Sequence, residues 1–191
     1  MRFLLGLFAL LILLIKPQAA RAEEPAVGFI WHYPYVDVGT DEIAASGATV
    51  MMARASWVYM ERDKGHIDLA PLDQQLAAAR KGDFKLVLLL ECNPFCSPFW
   101  LRKECGEAGQ NGIGVDGTDS QIPSLTSPLF QQAQQRFLAA VIKHVRRVDR
   151  QRNIVQYHAG VEWWFPVEFR YNPADVQRFR EWLAVTYGTV K

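Results

Sequence analysis

The chain contains four short apolar runs. Each run is followed by a segment in which apolar residues recur at helical spacing. The runs cover residues 27–33, 49–53, 85–90 and 154–158. The third, KLVLLL, is the clearest, because its apolar residues follow one another without alternation. Such a continuous run is typical of a parallel strand that is covered on both faces. We therefore predict four strands, with residues 85–90 as the clearest buried one.

Capping and stop residues delimit the first two predicted helices. Thr40 caps a short helix that runs through Ala45 and stops at Gly47. Pro71 opens the second helix, because proline is favoured in the first turn, and Gly82 ends it. The apolar face of this second helix consists of Leu72, Leu76 and Ala79.

Two further helices begin with a cap followed by proline. Ser127 and Pro128 open a long amphipathic helix whose apolar residues recur every three or four positions, namely Phe130, Ala133, Phe137, Val141, Val145 and Val148. Asn172 and Pro173 open the last helix, which ends at Gly188. Its predicted inner face consists of Val176, Phe179, Leu183 and Tyr187.

A strand followed by a helix, four times over, predicts an α/β fold with parallel strands and right-handed crossovers. Such a chain forms either a small doubly wound sheet or the first four βα units of a (β/α)8 TIM barrel. A complete barrel takes about 250 residues, so this chain is too short to close one. Neither glycine fingerprint of nucleotide-binding folds is present, which disfavours a nucleotide-binding sheet.

The N-terminal segment predicts export. Arg2 precedes an unbroken apolar run over residues 3–15, and Ala20-Arg21-Ala22 has the small-x-small pattern of a cleavage site. The run is too short to cross a bilayer comfortably, so we predict a signal peptide over residues 1–22, with a retained anchor as the less favoured alternative. Residues 23–191 then form one domain of a secreted or periplasmic protein, with no membrane contact after cleavage. The net charge of +1 gives no sign of a nucleic-acid partner.

Residues 92–124 are rich in Gly, Asn, Pro and Ser and predict a long irregular loop. Loops of this length in compact domains are usually functional or disordered. The three cysteines, Cys92, Cys96 and Cys105, all lie in it. In an oxidising compartment they predict one disulfide and one free thiol, with the pairing left open. A zinc site is disfavoured because no histidine follows at ligand spacing.

Polar and aromatic residues collect where the predicted strands end. In parallel α/β folds these ends carry the chemistry, and tryptophan beside charged and amide groups suits sugars, whose C–H faces stack on indole. The alternative is that these aromatic side chains pack in the core. The predicted substrate-binding residues are Trp31, His32, Arg54, Trp57, Glu91, Asn93, Trp163 and Trp164.

Two segments resemble one known family. Residues 55–73, ASWVYMERDKGHIDLAPLD, resemble the W-x-x-x-E-x-x-x-G segment of clan A glycoside hydrolases. Residues 179–189, FREWLAVTYGT, resemble the segment after the fourth strand of the β-galactosidase-like enzymes of glycoside hydrolase family 42. The resemblance implies a TIM barrel, a saccharide substrate and no cofactor or metal.

The resemblance also implies roles for individual residues. Glu162 falls on the general acid/base of the family, and Arg54 on the arginine that supports the nucleophile. Val161 stands where the family has an asparagine that binds the sugar 2-hydroxyl. The nucleophile is expected on a seventh strand, which this chain does not contain. Of the local carboxylates, Glu91 is better placed than Glu168 to face the same site, but a solvated or salt-bridged rim carboxylate is the favoured interpretation of Glu91.

Two functions follow as hypotheses. The first is an exported retaining glycoside hydrolase, of which this chain carries the acid/base half as a fragment of a longer enzyme. The second is a non-catalytic carbohydrate-binding protein or an inactive relic on the same scaffold, which Val161 and the missing nucleophile favour. The oligomeric state is left open, and a self-associating half-barrel is the least favoured arrangement.

Overall fold

The computed structural model describes the backbone of residues 28–30 and, in full, residues 45, 47–159 and 172–188. Its strands are β1 (Gly28–Ile30), β2 (Val50–Ser56), β3 (Lys85–Glu91), β4 (Asn111–Ile113), β5 (Asp119–Pro123) and β6 (Ile154–Ala159). Its helices are α1 (Trp57–Met60), α2 (Ala70–Lys81), α3 (Phe99–Glu107), α4 (Pro128–Val148) and α5 (Pro173–Tyr187), with a 3₁₀ turn at Pro94–Cys96.

A parallel sheet organises the described part of the chain. Its strands lie in the order β1-β2-β3-β6, and each neighbouring pair is parallel. The second, third and fourth predicted strands are confirmed within a few residues, and β2 extends beyond its predicted end to Ser56. The α/β prediction is therefore confirmed, and the sheet order follows the sequence order of the four strands.

Side-chain alternation divides β2 and β3 between two faces of this sheet. One face, the helix face, belongs to the main hydrophobic core and carries Met51, Ala53, Ala55, Leu86, Leu88 and Leu90. Because successive side chains of a strand point to opposite sides, Met52, Arg54, Val87, Leu89 and Glu91 lie on the other face, the inner face. In register, Arg54 stands beside Leu89, and Leu89 beside His158.

The apolar periodicity and the cap and stop residues predicted both core helices correctly. In α2, Leu72, Leu76 and Ala79 are fully buried, and the N–H of Gly82 donates to the carbonyl of Ala78 at 3.0 Å. A Cβ at Gly82 would lie 2.1 Å from Phe84 Cε2, so the turn into β3 requires glycine for its close approach. In α4, the hydroxyl of Ser127 accepts from the N–H of Phe130 at 3.1 Å, as an N-cap does.

The last helix corrects one prediction. Asn172 caps α5 as expected, its Oδ1 accepting from the N–H of Ala174 at 2.9 Å. Its predicted inner face is nevertheless largely exposed: Phe179 is 57% and Tyr187 71% exposed. Periodicity identified residues that share a face, but no other described element buries that face. The aromatic side chains pack on one another instead, with ring centroids 5.9 Å apart for Phe179 and Trp182.

The predicted irregular loop is wrong. Residues 92–127, the β3–α4 excursion, contain the 3₁₀ turn, α3 and an antiparallel hairpin of β4 and β5. The Gly-rich and Asn-rich composition that suggested a loop supplies turns and caps. Gly109 and Gly117 adopt positive φ angles of 64° and 84°, which glycine tolerates best.

The predicted disulfide is absent as well. Cys92, Cys96 and Cys105 are all free thiols. Cys105 lies in the buried side of α3, with its Sγ 3.6 Å from Ser127 Oγ. Cys92 lies in the core, with its Sγ 3.9 Å from Gln134 Nε2. Cys92 and Cys105 thus contact different parts of the α4 segment, Gln134 and the Ser127 cap. No helix among the described residues is long and apolar enough to cross a membrane.

Burial predicts slow thiol alkylation. Burial raises the pKa of Cys96 to about 11, and the nearby Glu91 carboxylate adds to this shift. The thiolate is the reactive form, and about one Cys96 in a thousand is a thiolate at pH 8, so the alkylation rate is reduced in that proportion and rises about tenfold per pH unit up to pH 10. Iodoacetamide labelling followed by peptide mass spectrometry measures this. In urea the same cysteine, with an unperturbed pKa of about 8.5, reaches its full rate at about pH 10. Identical profiles for the folded and unfolded chain contradict this account.

Candidate active site at the strand ends

The carboxyl ends of β2 and β3 carry an ion pair on the inner face. Arg54 Nη2 donates to Glu91 Oε1. Glu91 is the last residue of β3 and pairs in register with Ser56, two residues beyond Arg54. The Glu91 side chain is 8% exposed and the Arg54 side chain 20% exposed. Two strands parallel and in register therefore bring these opposite charges together at one end of the sheet.

This pairing decides the interpretation of Glu91. Its carboxylate compensates the half-buried positive charge of Arg54. Glu91 is therefore paired and does not face water without a partner. Of the two states left open for this rim carboxylate, solvated or salt-bridged, the structure shows the salt bridge. Removing either member leaves the other charge buried without compensation, which is strongly destabilising.

Gln75 holds the Arg54 backbone from the helix side, a role that sequence analysis did not assign to it. Its Oε1 accepts from the N–H of Arg54 at 2.8 Å, and its Nε2 donates to the carbonyl of Arg54 at 2.9 Å. The carboxamide therefore pairs with the strand backbone as a neighbouring strand does. Gln75 is almost fully buried within an otherwise apolar helix face, and a buried glutamine in that position is the one signal that indicates such a role.

Trp57 does not lie at the rim, and its predicted substrate contact is corrected. Its side chain is fully buried. The indole stacks on Phe137 of α4 at 5.4 Å between ring centroids and lies against Phe130 at 5.8 Å. Alternation continues past the end of β2, so Trp57 follows Ala53 and Ala55 onto the helix face. The alternative interpretation, an aromatic residue that packs in the core, holds for this position.

Glu61 forms a buried polar knot that sequence reasoning missed. Its side chain is fully buried. Oε2 accepts from Trp57 Nε1 at 2.7 Å, and Oε1 accepts from the N–H of Gly65 at 3.0 Å and from Arg136 of α4. The carbonyl of Glu61 accepts from Trp100 Nε1 at 3.1 Å. The Glu61 knot therefore connects the end of β2 to both α4 and the excursion.

The signal for this knot was present in the sequence. Trp57 and Glu61 are four residues apart, the spacing at which helical side chains meet. What the sequence could not show is the third partner, Arg136, which lies 75 residues further on. The buried carboxylate of Glu61 accepts hydrogen bonds from three donors, so it serves as a structural anion. It does not face the inner face of the sheet.

Asn93 has a local role in the structure. It is buried, and its Oδ1 accepts from the N–H of Cys96 at 2.8 Å, which caps the 3₁₀ turn. The cap begins the excursion two residues after Glu91. Its predicted contact with substrate stays a prediction.

Five of the predicted site residues lie outside the described residues. These are Trp31, His32, Glu162, Trp163 and Trp164. The described chain ends at Ala159 of β6 and resumes at Asn172. Ala159 pairs in register with Leu90, one residue before Glu91. The strand that leads to Glu162 therefore ends beside the strand that carries the Arg54–Glu91 pair.

The chain resumes at a firmly held point on the excursion. Asn172 is buried, and its Nδ2 donates to the carbonyls of Asn111 at 2.6 Å and Gly109 at 3.1 Å. Asp175 accepts from the hydroxyls of Ser124 and Thr126. The excursion and the start of α5 are thereby joined across about 50 residues of sequence. Among the described residues, no group of histidine, cysteine or acidic side chains could hold a metal ion.

Comparison with known proteins defines the class of this chain. Three solved β-galactosidases share its fold: those of the psychrophilic Marinomonas ef1 (TM-score 0.71, 18% identity), the Antarctic haloarchaeon Halorubrum lacusprofundi (0.67, 20%) and Rahnella sp. R3 (0.64, 19%). They cover 86%, 85% and 86% of this chain, which in turn spans 26%, 25% and 24% of theirs. The fold is that of TIM-barrel glycoside hydrolases.

The family follows from the sequence match. The model of glycoside hydrolase family 42, described as β-galactosidase, matches residues 42–191. This chain belongs to that family, as the resemblance of its two segments implied. A comparison with curated proteins finds no significant match.

The Glu61 knot predicts a large difference between two Glu→Gln variants. Glu61→Gln replaces a fully buried carboxylate that has three donors, and we expect the free energy of unfolding to fall by about 1.5–3 kcal/mol, the range for hydrogen bonds to charged groups. Glu104→Gln removes the ion pair with Lys64, in which the Lys64 side chain is 58% exposed, and is expected to cost about 0–1 kcal/mol. Urea denaturation of both variants measures the difference. Equal losses contradict the structural role of Glu61.

Proposed function

We propose that this chain forms the first four βα units of a TIM barrel and carries the acid/base half of a β-galactosidase-like glycoside hydrolase. The substrate is an oligo- or polysaccharide with a β-galactosyl unit, as the names of the three structural relatives suggest. Glu162 is the general acid/base. It protonates the leaving oxygen in the first step and deprotonates water in the second, as retaining hydrolysis requires.

The family match over residues 42–191, together with the position of Glu162 after β6, carries this proposal. In sequence, Glu162 follows three residues after Ala159, and Ala159 pairs with Leu90, the residue before Glu91. In parallel α/β folds catalytic residues come from the ends of several neighbouring strands. A glutamate three residues beyond β6 in sequence therefore supports the proposal that Glu162 is the proton donor.

A retaining reaction also needs a second carboxylate about 5–5.5 Å from the first. Glu91 does not supply it, because its carboxylate is engaged by Arg54. We propose that the nucleophile comes from the seventh strand that the family resemblance implies. Arg54 then serves this nucleophile from the end of β2, with Glu91 holding the guanidinium in place.

Export is part of the proposal. The apolar run over residues 3–15 and the Ala20-Arg21-Ala22 pattern support a signal peptide that is cleaved after Ala22. The intact mass of the exported protein tests this, with a mature N-terminus at Glu23 as the expected result and a retained Met1 as the contradicting one.

Val161 favours a second candidate function. It stands where the family resemblance implies an asparagine for the sugar 2-hydroxyl, a contact that strengthens in the transition state. A protein without this contact could bind saccharides and not cleave them. The alternative is therefore a non-catalytic carbohydrate-binding protein on the same scaffold.

Hydrolysis of a β-galactoside with an unactivated alkyl or sugar leaving group tests the assignment of Glu162, with a nitrophenyl β-galactoside as the activated comparison. We expect Glu162→Gln to lower kcat/KM by about 10²–10⁴, the usual contribution of general acid/base catalysis. Glu168→Gln is the matched control, because it removes a carboxylate six residues away and should leave the rate unchanged. The loss should be smaller with a better leaving group, which needs less protonation.

Each outcome separates the two functions. Equal rates for the protein and its Glu162→Gln variant reject Glu162 as the acid/base. If the unaltered protein shows no hydrolysis but binds galactosides, the carbohydrate-binding alternative is supported.

A further inference from the structure

A cleft lies between α3 and the β4–β5 hairpin, on the excursion and away from the Arg54–Glu91 pair in sequence. Its volume is about 490 Å³, within the range of about 300–1,000 Å³ that small-molecule sites occupy. One wall is helical and the other is the hairpin. The residues on which the proposal rests are Phe99, Arg102, Gly106, Asn111, Asp119 and Gln121.

Phe99 forms an aromatic platform at the rim of this cleft. It is 74% exposed, although Leu101 and Cys105 of the same helix are buried. The guanidinium of Arg102 lies over its ring, 5.3 Å from the centroid, and is itself fixed by the carbonyls of Phe95 and, at 3.1 Å, Ser97. The ring is thus held in place while most of its surface faces solvent.

Asn111 provides an unsatisfied acceptor in the lining. The residue is 3% exposed. Its Nδ2 donates to both oxygens of Asp119, at 3.0 and 3.3 Å, but its buried Oδ1 has no hydrogen-bond partner among the described residues. A buried acceptor without a donor is unfavourable. A ligand hydroxyl, or a water that such a hydroxyl holds, supplies the missing donor.

Two further features keep the polar wall ready for a ligand. A Cβ at Gly106 would lie 3.0 Å from Asn111 Nδ2, so glycine there leaves room beside the carboxamide. Asp119 is fixed in position because its Oδ1 also accepts from the N–H of Gln121 at 2.6 Å. Gln121 has a φ of 57°, a conformation that is uncommon for residues other than glycine.

The chemistry of the lining favours an uncharged polyhydroxylated ligand. The guanidinium of Arg102 is occupied by backbone carbonyls, and Lys103 pairs with Glu107 at 3.5 Å, so the cations are compensated. What remains is an aromatic face, a carboxylate and an amide oxygen, which suit the C–H face and the hydroxyls of a sugar. We propose that this cleft is an auxiliary saccharide-binding site, separate from the strand-end site. The choice of a saccharide rests on the proposed function.

Calorimetric titration with β-linked galactotriose tests the proposal in the full-length protein. All measurements use the Glu162→Gln background, so that the ligand is not hydrolysed. We expect the cleft to contribute one binding event, and Phe99→Ala to weaken that event about tenfold or abolish it, because stacking is lost. Phe99→Tyr should retain it.

Val115→Ala is the matched control. Val115 is another exposed apolar residue of the excursion, 73% exposed, and it does not line the cleft. Unchanged binding in this variant, with loss in Phe99→Ala, supports the site. The same stoichiometry and Kd in both variants overturn it. If the protein with Glu162 intact hydrolyses β-galactosides in a separate assay but Phe99→Ala binds normally in the Glu162→Gln background, the auxiliary site fails alone. If Phe99-dependent binding is found without any hydrolysis, the proposed catalytic function fails alone.

Discussion

The parallel pairing of β2 and β3 in register is the constraint on which the rest of the described structure depends. Alternation along two paired strands sends alanine and leucine to the helix face, where α2 and α4 bury them. The same alternation leaves Arg54 and Glu91 on the inner face at the strand ends, where they form an ion pair. A shift of one residue in either strand would reverse every side chain. It would bury Arg54 among leucines, so the register that builds the core also places the polar end.

The excursion depends on the same strand ends for its position. The buried Glu61 anchors the segment after β2 to Arg136 of α4, and its carbonyl holds Trp100 of the excursion. Asn172 and Asp175 attach the start of α5 to the other side of the excursion. Buried polar groups that are fully hydrogen-bonded rigidify the parts they connect. Residues 92–127 are therefore an ordered part of the domain, and the proposed saccharide cleft is formed by this ordered segment.

The sequence predicted those features that local signals determine. Pro71, Gly82 and the Ser127 cap fixed α2 and α4, and the apolar run fixed β3. The prediction failed where contacts between residues far apart in sequence determine the structure. Trp57 was expected at the rim because it ends a strand, but α4 covers it with Phe137. The face of α5 was assigned by periodicity, which names the residues of a face and not what covers it. In the excursion, glycine and asparagine indicated turns correctly, but short strands and a nine-residue helix between them gave too weak a pattern. The Arg54–Glu91 pair was predictable because each residue directly follows the apolar run of one of two neighbouring predicted strands.

The central claim is that Glu162 meets the glycosidic oxygen of a substrate beyond the end of β6. A crystal structure of the Glu162→Gln variant with an unhydrolysed β-galactoside tests it most directly. The account predicts that the residue 162 side chain lies within about 2.6–3.2 Å of that oxygen, the reach of a general acid, on the side of the sheet that carries Arg54. A sugar bound elsewhere, or a different carboxyl group beside that oxygen, contradicts the account.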